Sequence, residues 1–183
     1  MADQNLPTPE ELRNLLAYDP ETGILTWRER PIITNKVASW NARFAGKVAG
    51  CFDGSGYYRI EVDSKHIGSH RAAWAIAHGQ WPQHHIDHIN GIKTDNRISN
   101  LRDVTIAENN KNRPRQANNT SGCTGVYWHK QNEKWRAKIK IDGWWKWLGD
   151  FPHKFDAIIV RLNAEKLVGF TPRHGMDMPD KAA

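Results

Sequence analysis

Residues 84–113 read HHIDHINGIKTDNRISNLRDVTIAENNKNR and concentrate histidines, asparagines and an adjacent acid-base pair, Asp87-His88. Asn100 and Asn109 follow at intervals that a short hairpin and a helix can span. One carboxylate, one amide oxygen and water form a hard-oxygen site suited to Mg²⁺ or Mn²⁺. Such ions keep several waters and need only one or two protein ligands beside a substrate phosphate. A neutral imidazole next to them, with an ordinary pKa of about 6.5, can take a proton from water at physiological pH. Together these groups suit hydrolysis of a phosphodiester, with the metal stabilising charge on the phosphate and on the leaving oxygen.

Positioning those groups requires specific local structure. Asn90-Gly91 is a hairpin or loop signal, and Thr105 with Glu108 three residues on forms a capping box that starts a short helix. The order is therefore strand, loop, strand, helix, with Asn109 in the first turn of the helix. A helix packed on the hairpin would return Asn109 to Asp87. Adjacent strand residues point to opposite faces, so Asp87 and His88 can share a site only if the strand bends or ends near His88. His84 and His85 read as solvated loop residues or as a second pair of metal ligands.

The chain has 183 residues, a net charge of +6 and 39% hydrophobic content, which predicts small modules with a polyanionic partner. No apolar run approaches the length of a membrane span, and the opening MADQNLPTPEEL has no basic-then-apolar leader pattern. A soluble, intracellular protein without a membrane partner is expected. Cys51 and Cys123 lie far apart without C-x-x-C spacing, and read as buried or half-buried thiols rather than a disulfide framework or cysteine zinc site.

Upstream, Thr8, Pro9 and Glu11 open a helix before Leu12, Leu15 and Leu16. DPETG reads as a turn into a strand, ILTW, and GKVAG, YYRIEV and KHIGS read as short strands of an antiparallel sheet. RPIITNKVASWNARF shows no clear period and is expected to be a loop. From Ser69 a helix runs to a stop at Gly79. In KWRAKIKI, Trp135, Ala137, Ile139 and Ile141 share one face, and Lys134, Arg136, Lys138 and Lys140 share the other. GVYWH and WWKWLGDF supply two further strands, with Trp145 and Trp147 opposite Trp144 and Leu148. HKFDAIIVRLNAEKLVG reads as an amphipathic helix burying Phe155, Ile158, Ile159 and Leu162 and stopping at Gly169.

DHINGIKTDNRISNLRDVTIAENNKNR resembles the HNH (ββα-metal) nuclease motif as found in phage homing endonucleases. LLAYDPETGILTW and HRAAWAIAHGQWP resemble the segments that precede it there. The resemblance implies that His88 is the general base and Asp87 a metal ligand. It makes Asn100 the asparagine that holds the loop between the strands, and Asn109, where many members carry His, the second ligand. SGCTGVYWHKQNEKWRAKIKIDGWWKWLGDF with its helix is similar to the plant apetala/ethylene-response DNA-binding domain, which also occurs fused to phage HNH nucleases. That likeness implies a DNA-facing set of Tyr127, His129, Arg136, Lys138, Lys140, Trp145 and Trp147. Arginines dominate those strands in the plant family, so its base preference does not carry over.

The expected fold class is α+β. It comprises a ββα-metal nuclease core preceded by a small antiparallel sheet, plus a C-terminal three-stranded sheet packed on one helix. The nuclease part spans 1–113, a linker 114–121, the DNA-reading module 122–172 and a tail 173–183. Arg71, Lys111, Arg113 and Arg115 are expected to contact phosphate. The expected function is metal-dependent nicking or double-strand cleavage of double-stranded DNA, using Mg²⁺ or Mn²⁺. The resemblance places it in the host cytoplasm of a bacteriophage infection. No segment reads as a dimerisation helix, which favours a monomer. The rival expectation is a DNA-binding regulator that does not cut.

Overall fold

A computed structural model of the chain describes residues 6–177. The described residues are α+β, with several small antiparallel sheets and five α-helices, in agreement with the fold class read from the sequence. They divide into two compact units, Met1–Val104 and Thr105–Ala183. No helix among them is long and apolar enough to cross a membrane.

The first unit opens with α1 (Pro9–Leu15), capped by Thr8 and Glu11 in a reciprocal capping box. Leu12 and Leu16 are fully buried, each worth about 1.5–3 kcal/mol of apolar transfer. Strand β1 (Leu16–Tyr18) pairs antiparallel with β2 (Leu25–Trp27). The turn between them is tied by the Asp19 carboxylate, which accepts from Glu21 N at 3.0 Å and Thr22 Oγ1 at 2.7 Å. The segment expected to be a loop instead contains α2 (Asn35–Phe44), whose Thr34 cap accepts from Val37 N. Trp40 holds this helix by packing edge-on against Trp27, beside Phe44 and under the Arg30 guanidinium. GKVAG, expected to be a strand, makes only an isolated bridge, Thr26 to Val48.

Strands β3 (Cys51–Phe52), β4 (Tyr58–Val62) and β5 (Lys65–Gly68) form a three-stranded meander. Cys51 is exposed rather than buried. Helix α3 (Ser69–His78) follows and ends at Gly79, whose φ of 73° needs a residue without Cβ. Ala72 and Ala75 bring it against Leu12, Leu16, Leu25, Ile60 and Ile67, the core of this unit. The unit closes with the hairpin of β6 (His85–His88) and β7 (Leu101–Val104).

In the second unit, Thr105 and Glu108 form the expected capping box at the start of α4 (Ile106–Asn110). Strands β8 (Val126–His129), β9 (Lys134–Ile141) and β10 (Trp144–Phe151) form an antiparallel sheet in the order β10-β9-β8. Helix α5 (Lys154–Leu167) packs on it over a core of Cys123, Val126, Ala137 and Ala157.

The buried face of α5 differs from the one read from its apolar spacing. Ala157, Arg161 and Glu165 are buried, Ile158 is partly so, and Phe155, Ile159 and Leu162 are exposed. The cause lies in Gly125. A Cβ there would overlap the Arg161 side chain and the Lys138 carbonyl, so the glycine opens space in which the arginine stem lies. The Arg161 guanidinium then reaches Glu165 at 2.8 Å and covers the Phe170 ring.

Backbone hydrogen bonds tie residues 111–115 to residues 171–176 within the second unit. Arg115 N donates to the Met176 carbonyl at 2.8 Å, Gly175 N to Arg113 O at 3.0 Å and Thr171 N to Lys111 O at 3.2 Å. The expected tail beyond residue 177 lies outside the described residues.

Candidate active site

Antiparallel pairing sets Asp87 opposite Arg102 and His88 opposite Leu101, and β6 ends at His88. The strand thus ends at the second of the two adjacent residues. The chain turns at once: Gly91 N donates to the His88 carbonyl at 2.8 Å, with Gly91 at φ 73°.

Asn100 organises the loop that follows. Its Nδ2 donates to Asn90 Oδ1 at 3.0 Å and to the Asp95 carbonyl at 2.8 Å, and its Oδ1 accepts from Asn90 N at 3.0 Å. Its backbone carbonyl accepts from Ile89 N at 2.9 Å. Asp95 is held in turn by Asn90 Nδ2 at 2.7 Å and by a bidentate contact from Arg97. That carboxyl is pulled below its ordinary range by the hydrogen bond from Arg97.

The N-terminal elements buttress the same loop. Tyr18 Oη donates to the Asn96 carbonyl at 2.8 Å, and Ile98 N donates to the Pro20 carbonyl at 3.4 Å. Gly23, at φ 75°, lies so close to the Asn96–Arg97 backbone that a Cβ would overlap it. The turn read as DPETG is therefore a support for the candidate site.

Asp87 and His88 are both buried. Asp87 Oδ2 accepts from Arg102 Nε at 3.0 Å and Nη2 at 2.7 Å. His88 Nε2 lies 3.1 Å from Asn96 Oδ1, and burial pushes its pKa below the ordinary histidine value. The ring is flanked by Tyr57 and His70, at 5.9 and 5.5 Å between centroids, and these two are 5.2 Å apart. Burial, then the neighbouring His88, depress His70 to about 4. Lys93 reaches the Ser55 carbonyl at 2.8 Å with its ammonium 4.7 Å from the centre of the Tyr57 ring. A neutral imidazole beside a buried carboxylate and a nearby ammonium has the chemistry to activate water next to a bound phosphate.

The other residues singled out by sequence divide into several groups. Asn109 lies on α4 in the second unit, in the first helical turn as expected, with its N–H bonded to the Thr105 carbonyl. Arg71 reaches toward the His84 carbonyl at 3.5 Å, and His84 stands 3.6 Å from Asp103, which also accepts from the backbone of Gln83 and His84. Lys111 donates to the Val168 carbonyl at 2.9 Å. Arg113 contacts Asn110, and Arg115 contacts the Gly122 carbonyl and Asp177. Lys111 and Arg115 are thereby engaged in holding the second unit together.

On the sheet, Tyr127 lies opposite Arg136, Trp147 opposite Lys138 and Trp145 opposite Lys140. Tyr127, Arg136, Lys138, Trp145 and Trp147 line a concavity of about 280 Å³. Trp145 and Trp147 are 60% and 67% exposed, so they do not belong to the core. Lys138 lies 4.3 Å from the Trp145 ring centre and 5.0 Å from that of Tyr127. Arg136 is instead locked by Asp150 through two contacts of 2.7 Å, which hold the carboxyl well below its ordinary range. His129 accepts from Asn132 N through Nδ1 at the turn after β8.

Sequence reasoning missed Asn96 as the partner of His88, Arg102 as the partner of Asp87 and Tyr57 as a wall of the site. Arg102 was accessible in principle, because a hairpin registered on His88 and Leu101 sets it across from Asp87. Tyr57 carried no such signal, since it reaches the site only through the β3-β4 turn.

Residues 68–111 match the HNH endonuclease family model. Protein 3.8 of Escherichia phage T7 is 36% identical over 75 residues, which are 40% of this chain and 62% of that relative. The similarity thus spans less than two thirds of the relative's length. No solved structure matches the chain. The chain carries an HNH endonuclease domain at residues 68–111 and has a phage homologue.

Proposed function

We propose that the protein is a metal-dependent DNA endonuclease of the homing HNH type, acting on double-stranded DNA in the host cytoplasm. The observation that carries this reading is the buried Asp87-His88 pair at the end of β6, inside the segment that matches the HNH endonuclease model.

His88 takes the proton from an attacking water. Its burial keeps it neutral, and Asn96 and the flanking rings hold its orientation. Asn100 keeps the loop after β6 in the shape that presents it. Asp87 would hold Mg²⁺ or Mn²⁺, the role that the family resemblance also gives to Asn109. Arg102 orients the Asp87 carboxylate in the way that a partner group behind a metal ligand does. One carboxylate and one amide suit an ion that keeps its waters, and no cluster of three or more His, Cys, Asp or Glu among the described residues offers a zinc-type cage. When bound, the ion would stabilise charge on the phosphate and the leaving oxygen. In-line attack expels the 3'-oxygen and leaves a 5'-phosphate.

The C-terminal sheet would hold the DNA, like the apetala/ethylene-response domain. Lys138 and Lys140 supply charge, and Tyr127, Trp145 and Trp147 supply contact surface. A monomer with one site nicks one strand. Supercoiled plasmid treated with Mg²⁺, Mn²⁺ or chelator tests the reading. Metal-dependent nicking or linearisation supports it, and DNA binding without cutting under every metal puts a regulator in its place.

A further inference from the structure

Every group of the candidate site so far has a role except His70. It is the second residue of α3, and its ring lies 5.5 Å from His88 at an interplanar angle of 65°. Its position is built: Gly68 leaves room for the imidazole to fold back over the end of β5, where a Cβ would come within 2.7 Å of His70 Cε1. Tyr57 closes the other side at 5.2 Å. The ring is half-buried and makes ring contacts only, with no hydrogen-bond partner among the described residues. Neither ring nitrogen is sealed from solvent. They therefore keep some access to solvent beside the proposed base.

An attacking water and the phosphorus it approaches sit about 3–3.5 Å apart in a reactive geometry. Two imidazoles 5.5 Å apart can therefore touch one phosphate group, one through the water and the other through an oxygen. We propose that His70 donates a hydrogen bond to a non-bridging oxygen of the scissile phosphate while His88 activates water. This rests on the nuclease reading and deepens it. His70 exchanges no proton in the reaction: its N–H is neutral, and it strengthens its hold as charge builds on the oxygen. Lys93, whose ammonium stands 4.7 Å from the centre of the Tyr57 ring, adds positive charge nearby.

Removing one donor aimed at developing charge lowers kcat by about 10²–10³-fold. The full-length His70→Ala protein should show that loss, with DNA affinity in chelator and thermal midpoint close to wild type. His70→Gln, which keeps an N–H donor and fills the space, should recover part of it and guards against misfolding of the smaller variant. The decisive readout is a phosphorothioate duplex at a wild-type cleavage site, assayed as separated diastereomers. Wild type should cut one diastereomer more slowly in both Mg²⁺ and Mn²⁺, because sulfur accepts a hydrogen bond poorly and the softer metal does not restore it. In His70→Ala that discrimination should vanish. Wild-type rates in His70→Ala overturn the inference and leave the nuclease reading standing. A slow variant that keeps the full discrimination assigns His70 a packing role and also overturns it. If wild type cuts nothing under any metal, the nuclease reading fails first and the inference falls with it.

Discussion

His88 Nε2 lies 3.1 Å from the amide oxygen of Asn96, and both side chains are buried. An amide oxygen only accepts, so neutral His88 carries its proton on Nε2 and its basic lone pair on Nδ1. Replacing Asn96 by Ala removes that selection of tautomer. Cleavage by Asn96→Ala should fall by about 10–100-fold, the size of loss seen when an outer-shell partner is removed, while DNA affinity in chelator stays unchanged. Single-turnover cleavage against a binding titration checks this; equal loss in both would show a general folding defect instead.

Asn100 predicts a different pattern. Its side chain satisfies Asn90 and the Asp95 carbonyl in a loop with no other regular structure than one short 3-10 turn. Asn100→Ala leaves buried polar groups without partners, at a cost of about 1–3 kcal/mol. Urea unfolding should move to lower midpoint, and activity should fall with it. A variant as stable as wild type would mean that the loop does not depend on this residue.

Much of this arrangement was legible because local chemistry and global fold agree. The capping boxes at Thr8 and Thr105, the glycine stop at Gly79 and the alternation in β9 each had one physical reading. Helix α2 was missed although Val37, Trp40 and Phe44 stand at helical spacing behind Thr34. Its order depends on Trp40 meeting Trp27, a contact between distant parts of the chain. The face of α5 was misread for a related reason. Apolar spacing favours Phe155, Ile159 and Leu162, whereas the space left by Gly125 admits Arg161. In the candidate site the chemical groups were visible in sequence, but their partners Asn96, Arg102 and Tyr57 depend on register and on a turn from another sheet.

The sheet of the second unit separates its cations by what they touch. Lys138 and Lys140 face the exposed tryptophans, whereas the Arg136 charge is balanced by Asp150. Each side chain that neutralises a phosphate adds about 1 to the salt slope of DNA binding. Lys138→Ala and Lys140→Ala should each lower the slope by that amount, and Arg136→Met should leave it nearly intact while lowering thermal stability. A slope that drops with Arg136 and not with the lysines would contradict this use of the face.

Acid should weaken the fold before the carboxylates titrate. Burial depresses both His70 and His174 to about 4, so the 3.6 Å approach of His174 to Glu165 is not an ion pair at neutral pH. The unfolded chain binds these protons near the ordinary value of 6.5, ahead of the folded one. Stability is therefore full above that pH and is lost as pH falls from 6.5 towards 4. Urea midpoints measured from about pH 7 to about pH 4.5 should decline, and less steeply in His174→Gln. A flat profile over that range would contradict burial of neutral imidazoles.

The most direct measurement is cleavage of supercoiled plasmid and phage genomic DNA by wild type and His88→Ala, each with Mg²⁺, Mn²⁺ or chelator. Metal-dependent nicking or linearisation by wild type, abolished in His88→Ala while DNA binding persists, is the expected result. Equal cleavage by both proteins would remove His88 from the chemistry. Equal binding without cleavage by either, under every metal, would contradict the nuclease function itself.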